Sequence, residues 1–260
     1  MPTSSLLRYI IRPNHINWTP KNLAKKLEIE TRRWPRNTNW GQFDFDKDFF
    51  MTYPHGSTVK TEEPTVYSML RSFWGAGKLG QRAYLNSKNI PTPATWGINW
   101  NADLPSIPNK IICRPPTHQD GSDYRIVSNI EEIQMGEYAS KAFPKDSEFR
   151  IVYVLGEPLI TIEKYLSTLE TIEPDVAQIM PWNEANKCMW RTIRNDSNLL
   201  SHTDIHSRLA VLPIIQHSHI IGVDIMCAGH TWVITEFNAC PTLKVSNHLE
   251  QVSNYVQANK

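Results

Sequence analysis

The stretch that decides the fold is Ile221–Pro241, IGVDIMCAGHTWVITEFNACP. Two β-rich runs, GVDIMC and TWVITEFN, flank a short Ala-Gly-His loop, the pattern of a β-hairpin. With the turn centred on His230, Asp224 lies opposite Glu236, and Asn238 follows two residues later on the same face. The odd positions Val223, Ile225, Cys227, Val233 and Phe237 then form an apolar face directed at a core, and the acids share the other face. Facing carboxylates repel and destabilise a sheet unless positive charge sits between them. A hard divalent cation supplies that charge, and two carboxylates plus an amide suit Mg²⁺. The alternative is a hairpin whose acids pair with Arg or Lys. Spacing sets the parity of these residues but not their register, and a slip of one residue would turn Glu236 to the other face.

Upstream of the hairpin, Thr203 to His219 reads as a helix that Pro213 must kink or break. Further back the pattern is mostly strands: NKIICRPP, then SDYRIVS after a turn at Asp120 and Gly121, GEYASKAF, and EFRIVYVLGEPLITIE with a turn at Gly156 to Pro158. Residues 64–88 read as helical, and Pro91 and Pro93 end that run and open an extended segment. Within it GAGKLG has the spacing G-x-G-x-x-G, but the preceding SMLRSFW is a poor strand and Lys78 is followed by Leu79. Neither a dinucleotide fingerprint nor a phosphate loop is therefore expected. At the start, residues 5–12 read as a strand, and Thr19 as the cap of a short helix over about residues 20–30. A polar, Trp-rich, loop-rich stretch follows to about residue 63.

The chain has 260 residues, with 27 Lys+Arg against 26 Asp+Glu. A net charge of +1 excludes binding of nucleic acid or anionic membrane by bulk charge. The first forty residues are nevertheless basic, with Trp18, Trp34 and Trp40 interleaved. They could grip an acidic ligand or a nucleic acid, or form a solvated helix face over a small core. Cys113, Cys188, Cys227 and Cys240 are too scattered for a disulfide framework and form no C-x-x-C pair, so buried free thiols are expected. His202 and His206 have i, i+4 spacing without the Glu of a zinc motif, and they read, like His217 and His219, as a solvated helix face. No secretory leader or membrane span is expected, which implies a cytoplasmic protein.

GVDI followed, after a hairpin, by E-x-N-x-x-P (Asp224, Glu236, Asn238, Pro241) resembles the metal-binding end of the ATP-grasp carboxylate–amine ligases. KNIPTPATW, the strand–turn–strand around Arg114 and Gly121, the strand ending in SKAF, and Glu148-Phe149-Arg150 opening a strand follow in the family's order. The resemblance covers roughly residues 77–250 and is nearest to the ribosomal-protein glutamate ligase and glutathione-synthetase branches. It implies an α+β ATP-grasp fold, in which two α+β subdomains clasp ATP behind a short N-terminal lobe. The lobe would span residues 1–88 and the ATP-grasp domain 89–260, divided into a lid subdomain (89–143) and a metal-binding subdomain (144–260).

The resemblance also implies site residues. Asp224, Glu236 and Asn238 would hold Mg²⁺, with Mn²⁺ as a substitute. Arg114 stands where the family usually places a phosphate-contacting Lys, a change that keeps charge but alters geometry. Gly121 matches the loop that closes over the phosphates, in a segment with fewer glycines than the family's. Lys141, Ala142 and Phe143 match the hinge whose backbone holds the adenine, Glu148 is implied as a further nucleotide-binding residue, and Lys78 matches a second nucleotide-contacting Lys. Arg150, Arg191 and Asn195 match groups that face the transferring phosphate or the carboxylate substrate. The implied activity is amide formation through an acylphosphate, releasing ADP and phosphate, on small-molecule or peptide substrates. Two other readings stand beside it: a non-catalytic ATP-binding scaffold or sensor, and a ligase acting on a nucleic-acid-linked substrate.

Overall fold

The computed structural model describes residues 7, 9–12, 18–33, 48–51, 69–70, 72–74, 76–96, 110–115, 123–167, 172–182, 188–193, 203–243 and 246–259. Among these, twelve strands form three sheets. Strands β1 (Tyr9–Arg12), β2 (Glu30–Arg33) and β3 (Asp48–Phe50) make a parallel sheet in the order β2-β1-β3, with helix α1 (Trp18–Lys26) linking β1 to β2. Strands β4 (Thr95–Trp96), β5 (Ile111–Arg114), β6 (Arg125–Val127) and β7 (Tyr138–Lys141) make an antiparallel sheet, order β4-β7-β5-β6. The largest sheet, order β10-β9-β8-β11-β12, joins β8 (Ser147–Val154), β9 (Glu157–Leu166), β10 (Cys188–Thr192), β11 (Ile220–Ala228) and β12 (Thr231–Asn238), again antiparallel. Further helices include α2 (Gly77–Ser87), α3 (Pro174–Ile179), α4 (Thr203–Ala210), α5 (Pro213–His217) and α6 (Ser246–Asn259).

Alternation along each strand divides the five-stranded sheet into two unlike faces. Phe149, Ile151 and Tyr153 of β8, with Val223, Ile225 and Cys227 of β11, pack against α4, α5 and Leu85 of α2. On the opposite face Val152, Val154, Ile160 and Ile162 pack against Ile10, Leu23 and Phe49 of the N-terminal part and Leu249, Val252 and Val256 of α6. The N-terminal sheet therefore shares its core with the largest sheet. The same opposite face changes character toward Glu148, Arg150, Lys164 and Asp224, which are polar and buried or half-buried. One half of the face is apolar and the other half is charged.

The hairpin of β11 and β12 pairs Asp224 with Glu236 and Gly222 with Asn238, as its sequence leads one to expect. The route to that register differs. The turn is a two-residue loop, Gly229–His230, closed by the Ala228↔Thr231 pair, with Gly229 at φ +53°. From that turn, unbroken pairing would set Asp224 opposite Thr235. A bulge after Ile225↔Ile234 inserts Thr235 and moves Glu236 into line. The bulge also switches the parity of β12: Trp232 and Ile234 share the apolar core with Phe237, whereas Val233 does not, which corrects the expected apolar face.

Several other elements depart from expectation for identifiable reasons. Thr19 lies inside α1 rather than capping it, because its hydroxyl is claimed by a tertiary partner, the Leu243 amide at 3.2 Å. The β8–β9 turn is Leu155–Gly156, both at positive φ, so Pro158 falls within β9. Pro213 breaks the predicted long helix and opens α5. His219 is buried rather than solvated, its Nδ1 accepting from the Phe50 amide at 2.9 Å. His206 is held by Tyr153, ring nitrogen to hydroxyl 3.2 Å. No helix among the described residues is long and apolar enough to cross a membrane.

Candidate active site

A cavity of about 520 Å³ lies between the four-stranded and five-stranded sheets. Its walls follow from strand alternation. On β5 and β7, Ile112, Arg114, Tyr138 and Ser140 face the cavity while Ile111, Cys113 and Ala139 form a small core behind them. Opposite, β8 contributes Glu148 and Arg150, β9 Ile162 and Lys164, β11 Asp224 and Met226, and β12 Thr235, Glu236 and Asn238. Helix α2 spans both walls from one face, since Lys78 and Arg82 are one turn apart. Lys78 Nζ lies 3.1 Å from Glu236 Oε2, and Arg82 Nη1 donates to Thr95 and Ser140, each at 2.5 Å.

The buried charges form a chain. Arg150 donates from Nε to Asp224 Oδ1 at 2.6 Å and from Nη2 to Oδ2 at 2.7 Å. Lys164 pairs with Glu148 and lies 3.4 Å from Asp224 Oδ2. Lys145 reaches the other Glu148 oxygen at 3.2 Å and the Met180 carbonyl at 2.6 Å. Burial alone would raise the Asp224 carboxyl, but Arg150 and then Lys164 overcome it and hold the group down at about 2. For Lys145 burial dominates and its pKa falls, while for Lys164 the attraction of Asp224 and Glu148 outweighs burial and its pKa rises. Trp190 of β10 lies beneath two of these cations, its ring centroid 5.1 Å from the Arg150 guanidinium carbon and 4.9 Å from Lys164 Nζ.

The close approach of the hairpin to this chain requires glycine at 222. A Cβ there would lie 2.9 Å from the Pro241 Cβ and 3.4 Å from the Arg150 Cδ. The GVD and NACP elements therefore pack directly on each other, with Arg150 between them and the cavity.

The structure brings Lys78, Arg114, Lys141, Phe143, Glu148, Arg150, Asp224, Glu236 and Asn238 to one cavity. Ala142 is buried beside it, its amide donating to the Lys110 carbonyl at 3.0 Å. Arg191 is not brought there. It stands opposite Glu163 on β9, pairs with it, and is 64% exposed, because its neighbours Trp190 and Thr192 take the cavity parity. Gly121 and Asn195 lie outside the described residues. Sequence reasoning missed Lys145, Lys164, Trp190 and Tyr138. The available signal for Lys164 was its place after Ile160 and Ile162, a lone cation at the apolar parity of a strand.

The oxygen donors Asp224, Glu236 and Asn238 share one face, and the chemistry of that set fits a hard divalent cation. Among the described residues no three His, Cys, Asp or Glu side chains cluster as metal ligands, and the third donor here would be the Asn238 amide oxygen. Arg150 takes one lone pair on each Asp224 oxygen, and each oxygen keeps another with which it could ligate a cation. All four thiols are free. Burial pushes Cys113 and Cys188 up to about 11 and Cys227 and Cys240 up to about 12, so none is a ready nucleophile.

The chain resembles known structures along nearly its whole length. D-alanine–D-alanine ligase from Bacillus anthracis, solved with ATP, is 14% identical with a TM-score of 0.55, covering 98% of this chain and 99% of that one. The chain has the ATP-grasp fold. An ATP-grasp ligase associated with peptide modification in Chryseobacterium gregarium, solved with ADP and a leader and core peptide, is 12% identical with a TM-score of 0.57, covering 98% of this chain and 97% of that one. Carboxyaminoimidazole ribonucleotide synthase from Aspergillus clavatus, solved with ATP, gives 12% identity and a TM-score of 0.58 over 95% of this chain and 75% of that one. The sequence matches no family model and no curated relative. The likeness at 12–14% identity is one of fold.

Proposed function

We propose that the protein is an ATP-dependent carboxylate–amine ligase that forms an amide through an acylphosphate and releases ADP and phosphate. The observation that carries this reading is the charge of the cavity. Seven cationic side chains line it against three acidic ones, an excess suited to a polyanionic triphosphate, and two of the acids, Asp224 and Glu236, stand on the hairpin face with Asn238. The ATP-grasp fold supports the same reading.

In this reading the adenine lies toward Lys141, Ala142 and Phe143, and the phosphates extend past Arg114 and Lys78 toward Arg150 and Lys164. Asp224, Glu236 and Asn238 would hold Mg²⁺, which supplies Lewis-acid charge to phosphate oxygens. A substrate carboxylate attacks the γ-phosphate, forming a C–O–P bond as the bond to ADP breaks. An amine then attacks the acyl carbon, the acyl C–O bond breaks, and the leaving phosphate takes up the proton that the amine gives up. Arg150 and Lys164 offset the negative charge on the transferring oxygens, the dominant demand in phosphoryl transfer. Lys164 takes the phosphate-facing role expected of Arg191, because it lines the cavity and Arg191 does not. No protein nucleophile is needed. The chain divides into domains at residues 88 and 143, with the first part seated on the five-stranded sheet.

The competing reading is a nucleotide-binding scaffold without turnover, in which the Arg150–Asp224 pair persists. Incubation with Mg-ATP and pooled amino acids or peptides separates the two. Formation of ADP and phosphate that depends on a carboxylate and is lost in Glu236→Gln supports the ligase. AMP and pyrophosphate would overturn its mechanism, and tight ATP binding without turnover would favour the scaffold.

A further inference from the structure

The five-stranded sheet ends in two unlike edges. At β12 the Pro91 carbonyl takes the Ile234 amide at 2.9 Å, so that edge is partly covered. At β10 the register with β9 runs without a bulge from Cys188 to Thr192, and the Ile193 amide continues it by donating to the Thr161 carbonyl at 2.9 Å. Ile193 and Thr161 are therefore a hydrogen-bonded pair. At the two-residue period of an antiparallel ladder, so are Arg191 with Glu163 and Met189 with Tyr165. The amides and carbonyls of Trp190 and Thr192 then point away from β9, and among the described residues no backbone group pairs with them.

Exposed edges are normally blocked by a proline, a bulge or a free charge. Strand β10 has neither proline nor bulge, and its one charge, Arg191, is tied to Glu163 and lies 5.3 Å over the Tyr165 ring. On the same face Met189 is 49% exposed. A strand added to this edge would alternate its side chains between the two faces of the sheet. One set would join Trp190 on the cavity side, beside Arg150 and Lys164, where cations outnumber acids. The other set would join Met189 and Tyr165. The complement is acidic at the first parity and apolar at the second. A second copy of the chain, paired through its own β10, would instead set two cationic cavity walls side by side.

We propose that the β10 edge docks an extended peptide of alternating acidic and apolar residues as an added antiparallel strand, hydrogen-bonded to the backbone of Trp190 and Thr192. In such a ladder the residue directly opposite Trp190 or Thr192 makes both bonds and shares its face, so the acidic residues are those whose amides donate to β10. The docking needs no nucleotide and goes beyond the ligase reading.

The test uses the full chain and a short fluorescein-labelled peptide of alternating glutamate and valine, followed by anisotropy. It should bind saturably, and a peptide of alternating lysine and valine should not. N-methylation of the glutamates removes the amides directed at Trp190 and Thr192 and should weaken binding by about tenfold or more, beyond the loss of one hydrogen bond, whereas N-methylation of the valines should leave it unchanged. Thr192→Pro deletes an outward amide and no bond to β9, and it should weaken the peptide where Thr192→Val does not. Equal weakening by both N-methylation patterns, weakening by neither, weakening by the valine pattern alone, or preference for the lysine peptide would each overturn the docking. A dimer of the free chain that the peptide does not dissociate, measured by sedimentation, would assign the edge to a second copy and overturn it as well. Peptide binding without any ATP binding would sink the ligase reading and leave the docking standing.

Discussion

Arg150 grips Asp224 with both arms, Nε on Oδ1 at 2.6 Å and Nη2 on Oδ2 at 2.7 Å, across neighbouring strands in direct register. The pair is buried, and Lys164 approaches the same carboxylate from β9. Removing the arginine strands a buried carboxylate, which typically costs about 3–5 kcal/mol. Arg150→Met should therefore lower the urea midpoint strongly. Arg150→Lys, which keeps charge but not the fork, should recover only part of that loss. Equal stability of Arg150→Met and wild type in denaturant titration would contradict the pairing.

Acid stability follows from the same pair. The Asp224 carboxyl sits at about 2 in the folded protein against an ordinary 3.8, so the unfolded chain binds the extra proton between those values. The stabilisation is fully present above about pH 4 and is lost as pH falls toward about 2, and it is on the order of 2 kcal/mol. Asp224→Asn should flatten the pH dependence of unfolding in that window, measured by fluorescence-monitored denaturation across pH.

Gly222 allows Pro241 and Arg150 to approach the hairpin. In Gly222→Ala the new Cβ must displace the Pro241 ring or the Arg150 stem, and overpacking of this kind costs roughly 1–3 kcal/mol. The variant should melt earlier and bind nucleotide more weakly. Unchanged ATP affinity by calorimetry would mean that the contact does not position the site.

Arg191 and Lys164 make opposite predictions from neighbouring strands. Arg191→Ala removes an exposed ion pair with Glu163 and should leave both the denaturation midpoint and nucleotide affinity as they are. Lys164→Met removes the cation between Glu148 and Asp224 and should weaken ATP binding by about tenfold or more, the loss of one charge-assisted contact. Parallel ATP titrations of the two variants read the contrast directly.

Glu236 is only partly buried, with one ion pair to Lys78. Glu236→Gln should keep the fold and bind ADP but lose dependence on Mg²⁺, because an oxygen donor loses its charge. Chelation of divalent ions should reduce the wild type to the nucleotide affinity of this variant.

Much of this protein was open to reading from its sequence because strand alternation is local. GVDIMC and TWVITEFN determine a hairpin, and the i, i+2 spacing of Glu236 and Asn238 sets those two on one face of its second strand. Pro213 similarly determines a break between two helices. The details that only tertiary structure decided are those in which distant segments compete for one group. A two-residue turn and the Thr235 bulge offset each other, so the facing of Asp224 and Glu236 is real although the turn is not centred on His230. Thr19 is drawn from capping by Leu243, and His219 is buried by Phe50. Lys164 enters the site, and Arg191 leaves it, by the register of β9 and β10. Alternation tells which residues share a face, but which face meets the cavity depends on burial energies summed over sheets and helices far apart in the chain.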